Sequence, residues 1–403
     1  MSTPSLSLAA TRAAEFRIVA NVSAAHFLSH FYFLVLPPLF SFVRADYDVS
    51  YTELGVALAM FNMVSALFQT PAGLLADRVG PHVVLVGGLA LEAVAFALAG
   101  LVDSYWFLVA MFGVAGLANT VFHPADYALL SHHISKHRVG QAFSIHTFAG
   151  MLGGAVAPAA MLLLERLFGW RGAFVVAALA GLAAAALLML QRADYADGPH
   201  RAASAPAGTA DGPVGRRALL MQGAILRSLL FFTLLAAVAV GIQNYSVVAL
   251  EALFGTPLAI GNAALTSHLL FTAVGVLAGG LLVARISNHG AFAAVGLCVT
   301  CLAVGLVGLV ELGTATLILV MGIGGFANGV IMPSRDMLVR AVTPPGSFGT
   351  VFGFVTTGFN IAGVAFPLVF GALMDRGSPR AIFLVSAAFC LLSIAAVIGG
   401  RRR

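Results

Sequence analysis

The chain has 403 residues, 60% of them hydrophobic and only 9% charged; that is too little charge to cover a water-soluble globule, and it points to a membrane solvent. The formal net charge of +5 does not indicate nucleic acid, because the basic residues are spread through short segments between apolar runs. Cys298, Cys301 and Cys390 all fall inside apolar runs; this argues against a disulfide framework and, with no histidine or carboxylate beside the C-x-x-C pair, favours buried packing thiols over a metal site.

The N-terminal stretch STPSLSLAATRAAEF lacks the apolar core and cleavage site of a signal peptide, so the first apolar run is expected to serve as its own insertion signal. Runs of about 20 apolar residues, enough for a hydrocarbon core of roughly 30 Å, recur twelve times. The first six are read at Phe16–Val43, Thr52–Ala76, Val83–Val102, Tyr105–Ser131, Gly140–Leu164 and Gly172–Leu190. From Gln191 to Arg217 the composition shifts to Asp, Pro, Gly, Ser and Ala, which reads as a flexible linker. Six more runs follow at Ala218–Leu253, Leu258–Ala284, Ala291–Val310, Thr314–Arg340, Gly349–Met374 and Arg380–Gly399. The expected fold is an all-α integral membrane protein with a six-helix bundle in residues 1–190, a linker in 191–217 and a second six-helix bundle in 218–403.

The second half repeats the first. The text VFHPADYALLSHHISKHRVGQAFSIHTFAGMLGGAVAP, Val121 to Pro158, returns as VIMPSRDMLVRAVTPPGSFGTVFGFVTTGFNIAGVAFP, Val330 to Pro367, at an offset of 209 residues. GLLADRVG at Gly73–Gly80 is answered by GLLVARISNHG at Gly280–Gly290, so the halves run in parallel order as a duplicated fold. With the N-terminus placed in the cytoplasm, fourteen basic residues lie on the inner side, Arg12, Lys136 and Arg340 among them, against five outside: Arg44, Arg166, Arg171, Arg376 and Arg380. That bias predicts cytoplasmic termini.

Two parallel six-helix halves joined by a polar linker resemble the major facilitator superfamily, whose halves are related by an axis along the membrane normal. GLLADRVG looks like that superfamily's signature between its second and third helices, with Gly73, Asp77, Arg78 and Gly80 in place. More narrowly, SAAHFLSHF in the first span, the FHP-acid block in the fourth and AGMLGGAVAP in the fifth look like the fosmidomycin-resistance branch of bacterial efflux proteins. The resemblance implies that spans 1, 4, 7 and 10 line a central cavity, that the protein is a monomer, and that it sits in a bacterial inner membrane.

Ionisable residues inside a span are costly and mark function by default. On the fourth span Asn119, His123 and Asp126 fall at i, i+4 and i+7 and are expected to form one stripe, whose repeat partners are Asn328, Met332 and Arg335 on the tenth. His26 and His30 lie one turn apart on the first span, and His146 is on the fifth. Each histidine can relay protons or bind a metal; each could equally be a neutral packing residue bonded to a carbonyl. Pro124, directly after His123, frees a carbonyl one turn back and can kink its helix. Gln243 and Asn244, beside Tyr245, are candidates for substrate contact or helix bridging. Glu92 is a lone carboxylate on the third span, either protonated or paired with a neighbour. Gly150, Gly153, Gly154 and Pro158 read as a close-packing face.

No hydrolase, zinc-protease or phosphate-loop signature is present. The chain is therefore read as no enzyme, without a cofactor, its partners being a small-molecule substrate, protons and the bilayer. The leading expectation is a secondary transporter exporting a small organic or anionic compound against protons, with Asp126 and the first-span histidines as proton carriers and Arg335 as anion anchor. One alternative is a transition-metal or metal-chelate carrier using His26, His30, His123 and Asp126; another is a receptor that does not transport. Asp77 is expected to sit near the start of the eleventh span around Ser347–Thr350, since a carboxylate favours a helix N-terminus. Asp126 and Arg335 share one position of the repeat and are expected to pair when the inner gate is shut, with Asp336 serving Arg335 only poorly from i+1.

Overall fold

The structure, a computed structural model, describes residues 8–195, 218–344 and 347–398, and these contain helices and turns but no β-strand. Among them, eleven helical stretches are long and apolar enough to cross a membrane. The longest, Val139–Leu190, has 52 residues and as one straight helix would be about 78 Å long, more than twice a hydrocarbon core. It holds two crossings, because the backbone at Gly169 adopts φ 69 and ψ 168, a conformation open in practice only to glycine. The twelve expected spans are thereby recovered.

In chain order the helices are α1 (Leu8–Phe33), α2 (Phe40–Tyr47), α3 (Tyr51–Val79), α4 (Pro81–Leu101), α5 (Tyr105–Asn119), α6 (Phe122–His133) and α7 (Val139–Leu190). In the second half they are α8 (Gly223–Val240), α9 (Ser246–Phe254), α10 (Leu258–Leu282), α11 (His289–Leu309), α12 (Thr314–Val330), α13 (Met332–Ala341), α14 (Phe348–Asp375) and α15 (Arg380–Ile398). Four spans are broken, each for a local reason. Pro37 and Pro38 convert the middle of the first into a short 3-10 turn between α1 and α2. Pro124 lies in the first turn of α6, just past its break from α5, and Pro333 in the first turn of α13, just past its break from α12. The seventh is interrupted by a π-helical turn, Gly241–Tyr245, which contains Gln243 and Asn244. The signature turn also has a physical cause: Gly80, at φ 104, leads into Pro81 at the first helical position of α4.

Two compact units are present, each described by itself: the described parts of Met1–Phe33, Val64–Gly154 and Leu164–Ala202, and of Leu34–Met63, Ala155–Leu163 and Ala203–Arg403. The first is packed around Tyr32, Phe96, Phe112 and Phe174, with ring separations of 4.9, 5.4 and 6.3 Å along that series. Tyr32 satisfies its hydroxyl by donating to the Ala177 carbonyl at 3.0 Å. The start of the expected linker is fixed to this unit: Arg17 donates twice to Asp194, at 2.8 and 2.7 Å, and Tyr195 is buried against the rings of His82 and His133. The rest of that linker lies outside the described residues.

In the second unit the first turn of α3 is capped twice. Ser50 and Glu53 form a reciprocal capping box, and the Asp375 carboxylate at the end of α14 accepts from the backbone amides of Tyr51 and Thr52 at 2.8 and 2.9 Å. Glycines let these two helices approach: a Cβ on Gly371 would lie 2.7 Å from the Tyr51 carbonyl oxygen, and one on Gly363 2.5 Å from the Asn62 amide oxygen.

Two expectations follow from this packing. Gly153 of α7 rests on the backbone of α1, where a Cβ would collide with the Phe27 carbonyl; backbone cannot move aside as a side-chain tip can. Gly153→Val should cost at least about 1–3 kcal/mol and lower the thermal midpoint of the purified protein, while Gly140→Ala, with nothing within 4 Å, should leave it in place. The Arg17 hydrogen bonds hold the Asp194 carboxyl below its usual range. A depressed carboxyl contributes above its ordinary value of about 3.9 and loses that contribution as pH falls through the native value. A spin label at Ala193 should therefore be immobile across neutral pH and mobile in acid, and in Arg17→Gln mobile at both.

Candidate functional site

The first unit buries a carboxylate among imidazoles. α1 presents His26 and His30 one turn apart, α6 contributes His123 and Asp126, and α7 contributes His146. Asp126 is fully buried at 0% exposure, with His146 at 1% and His26 at 4%. The Asp126 Oδ2 lies 3.5 Å from His26 Nδ1 and 3.7 Å from His146 Nε2. Neither Asp126 oxygen has a hydrogen bond, nor does His26 Nδ1 or either ring nitrogen of His146. Native interiors rarely leave so many polar atoms unpaired in one place.

The rings are tightly grouped. His26 and His146 stack at 3.8 Å between centroids with planes 22° apart, and His30 and His123 stand edge-on to His26 at 4.6 and 5.4 Å. His30 is half-buried and His123 exposed, so the group runs from a fully buried carboxyl to an imidazole at the protein surface. Space for it is made by Gly150 on α7. A Cβ there would stand 2.5 Å from His26 Cδ2, 2.6 Å from its Nε2 and 3.0 Å from His30 Cδ2. Read from the sequence as helix packing, Gly150 also fits a ring.

Two expectations are corrected. Asn119, His123 and Asp126 do not form one stripe, because α5 ends at Asn119 and α6 begins at Phe122; proline at 124 has no N–H for the carbonyl of Thr120, and the helix breaks there. Asn119 turns to α4 and donates to Glu92 Oε1 at 3.1 Å, while Asp126 turns to the histidines. The ligand group also differs from the one expected. His26, Asp126 and His146 offer ligand atoms that all lie within 4.8 Å of one another, whereas His30 and His123 join only through ring contacts.

In the second unit Arg335 is largely buried, with 14% of its side chain exposed. Its Nε donates to Asp336 Oδ1 at 2.9 Å, so the adjacent residue serves it well, contrary to expectation. The guanidinium carbon lies 4.5 Å from the Phe232 ring centre and 5.6 Å from that of Phe359. Asp336 was read from the sequence as a weak neighbour only; neither phenylalanine carried a signal in the sequence. Gln243, Asn244 and Asn328 are half-buried, while Asp77 and Arg78 are exposed.

Chemically, a carboxyl flanked by imidazoles can pass a proton between oxygen and nitrogen, and the same donor set can hold a borderline divalent cation. Gly150→Ala should push His26 away from its stack without unfolding the chain, because a ring can move where backbone cannot. The expected result is loss of the ring-current shift in NMR spectra of histidine-labelled protein, with a stability change within about 1.5 kcal/mol.

Comparison with known proteins accounts for nearly all of the chain. The family model described as Major Facilitator Superfamily matches residues 22–257 and 229–403. The "Probable L-galactonate transporter" of Escherichia coli (strain K12) is 26% identical over 141 residues, 35% of this chain and 31% of that protein. "Multidrug resistance protein MdtH" of Yersinia pestis (strain Pestoides F) is 31% identical over 154 residues, 36% of this chain and 38% of that protein. The matches thus span only about a third of the curated relatives. A crystal structure of a bacterial homolog to the human lysosomal transporter Spinster, in an inward-facing and unoccupied conformation, superimposes with a TM-score of 0.79 over 97% of this chain and 99% of that one, at 15% identity.

Proposed function

We propose that this chain, which belongs to the Major Facilitator Superfamily, is a proton-coupled secondary transporter that exports a small organic compound bearing an anionic group. The family and its structural neighbours are transporters rather than enzymes, and the chain is a multi-pass membrane protein. In this reading it works by alternating access as a monomer in a bacterial inner membrane, with both termini cytoplasmic, and stands close to the fosmidomycin-resistance branch of efflux proteins.

One observation carries the coupling assignment: Asp126 is fully buried, unbonded at both oxygens and 3.5 and 3.7 Å from two imidazole nitrogens. A carboxylate bound permanently for structure would have its oxygens satisfied. One that must take and release a proton needs them free, and His123 supplies an exposed entry to the group. For the substrate, Arg335 keeps its terminal guanidinium nitrogens available while Asp336 takes Nε and two phenylalanines flank the plane. A planar, bidentate donor suits a carboxylate or phosphonate. The L-galactonate relative is named for an anion and MdtH for drug resistance, and both fit an organic solute.

The test is flux into proteoliposomes under an imposed pH gradient, with a pH-sensitive dye inside and L-galactonate as probe. Asp126→Asn is expected to reduce proton-linked flux at least tenfold. Arg335→Gln should raise the half-saturating L-galactonate concentration about tenfold, the effect of losing one charge-assisted pair worth about 1.4 kcal/mol. Wild-type proton flux in Asp126→Asn would sink the reading. A second reading, transport of a transition metal as cargo, is favoured by the convergence of His26, Asp126 and His146. It predicts metal flux that Arg335→Gln leaves unchanged and Asp126→Asn abolishes.

A further inference from the structure

The break between α5 and α6 sets the direction in which His123 and Asp126 leave the helix, and helix α4 is seated directly on it. Gly88 of α4 meets the break so closely that a Cβ would collide with the Val121 side chain and stand 3.1 Å from the Ala118 carbonyl oxygen. One turn further along α4, Glu92 is fully buried, accepts from Asn119 Nδ2 at 3.1 Å through Oε1, and has no hydrogen bond at Oε2. Asn119 is the last residue of α5. Among the described residues, the side chain that Glu92 bonds is therefore the one at the lip of the break.

The repeat supplies an internal control. In the second half Gly296 of α11 occupies the same seat, where a Cβ would collide with Ile331 and lie 3.0 Å from the Ala327 carbonyl oxygen. The residue equivalent to Glu92, at an offset of 208, is Thr300. Its hydroxyl lies 3.0 and 3.3 Å from the carbonyls of Gly296 and Gly324 and so bonds only to backbone. The two breaks share one steric seat and differ in what holds it: in the first half a side-chain bond to Asn119, the last residue of α5, and in the second a hydroxyl bonded to the Gly324 carbonyl, within α12 and away from the break.

We propose that Glu92 is a positioning residue for the Asp126 group, acting through Asn119 to fix the angle at which α6 leaves α5. It does not touch the Asp126 group itself, and its role deepens the coupling mechanism proposed above. A backbone-directed hydroxyl holds its helix whatever the neighbouring side chains do; a carboxyl–amide pair opens when either partner turns away. The first-half break is thereby the adjustable one, and the α6 segment that bears Asp126 is the part released.

Hydrogen exchange of the full chain in lipid nanodiscs tests this without a substrate. Amides of residues 117–126 should exchange about five- to tenfold faster in Glu92→Ala and in Asn119→Ala, the effect of one lost hydrogen bond. The double variant should match either single variant, since both remove the same bond. Glu92→Gln keeps an acceptor oxygen in the same shape and should restore wild-type protection, and residues 326–336 at the second break should be unaffected in every case. Additive effects, a Glu92→Gln variant as unprotected as Glu92→Ala, or loss of protection at both breaks would each overturn the proposal. Should Glu92→Ala not fold, Asn119→Ala and Glu92→Gln decide it. Because the readout is local to α5 and α6, its failure is distinct from a failure of proton coupling, which the flux of Asp126→Asn reports.

Discussion

A peptide carbonyl without a donor is expensive anywhere and worst in hydrocarbon, where no water can serve it. Much of this molecule's functional geometry follows from placing prolines so that such carbonyls arise inside spans and are then taken up by protein. Pro124 frees the Thr120 position, the chain tightens there through a bond from the Thr120 amide to Leu117, and α6 restarts at Phe122. Pro333 does the same for α13. Polar side chains gather at these breaks because that is where the backbone has left regular packing and glycine seats bring neighbouring helices closest.

The fold was highly legible, since its determinants are coarse. Twelve apolar runs and a repeat offset do not depend on where any side chain points. Gly153, read as part of a close-packing face, does rest on a neighbouring backbone, whereas Gly150 on the same face meets the rings of His26 and His30. Whether a small residue accommodates a neighbouring backbone, as Gly153 does, or a ring, as Gly150 does, depends on the crossing point of two helices. Periodicity within one helix does not contain that information.

The candidate site was legible residue by residue and misassembled as a group. His26, Asp126 and His146 stood out because ionisable groups are rare in spans. Their grouping was obscured by reading the fourth span as one continuous helix, which put Asn119 in line with Asp126 and left Glu92 alone. Once the helix is broken, the two polar residues address different neighbours and Glu92 acquires its partner. Asp336 was underrated as a partner of Arg335, since ideal helix geometry separates adjacent side chains by about 100° but long side chains can still meet around the edge of the helix.

The Asp375 cap has a different kind of consequence. It reads only backbone amides and one hydroxyl of α3, so it accepts almost any sequence there yet depends on the sign of its own charge. The repeat offset of 209 places Arg166 where Asp375 stands in the second copy. A guanidinium has no lone pair for an amide and is repelled by the positive end of a helix dipole. The two halves are thus not equivalent at this position, where the second copy holds a carboxylate and the first a guanidinium.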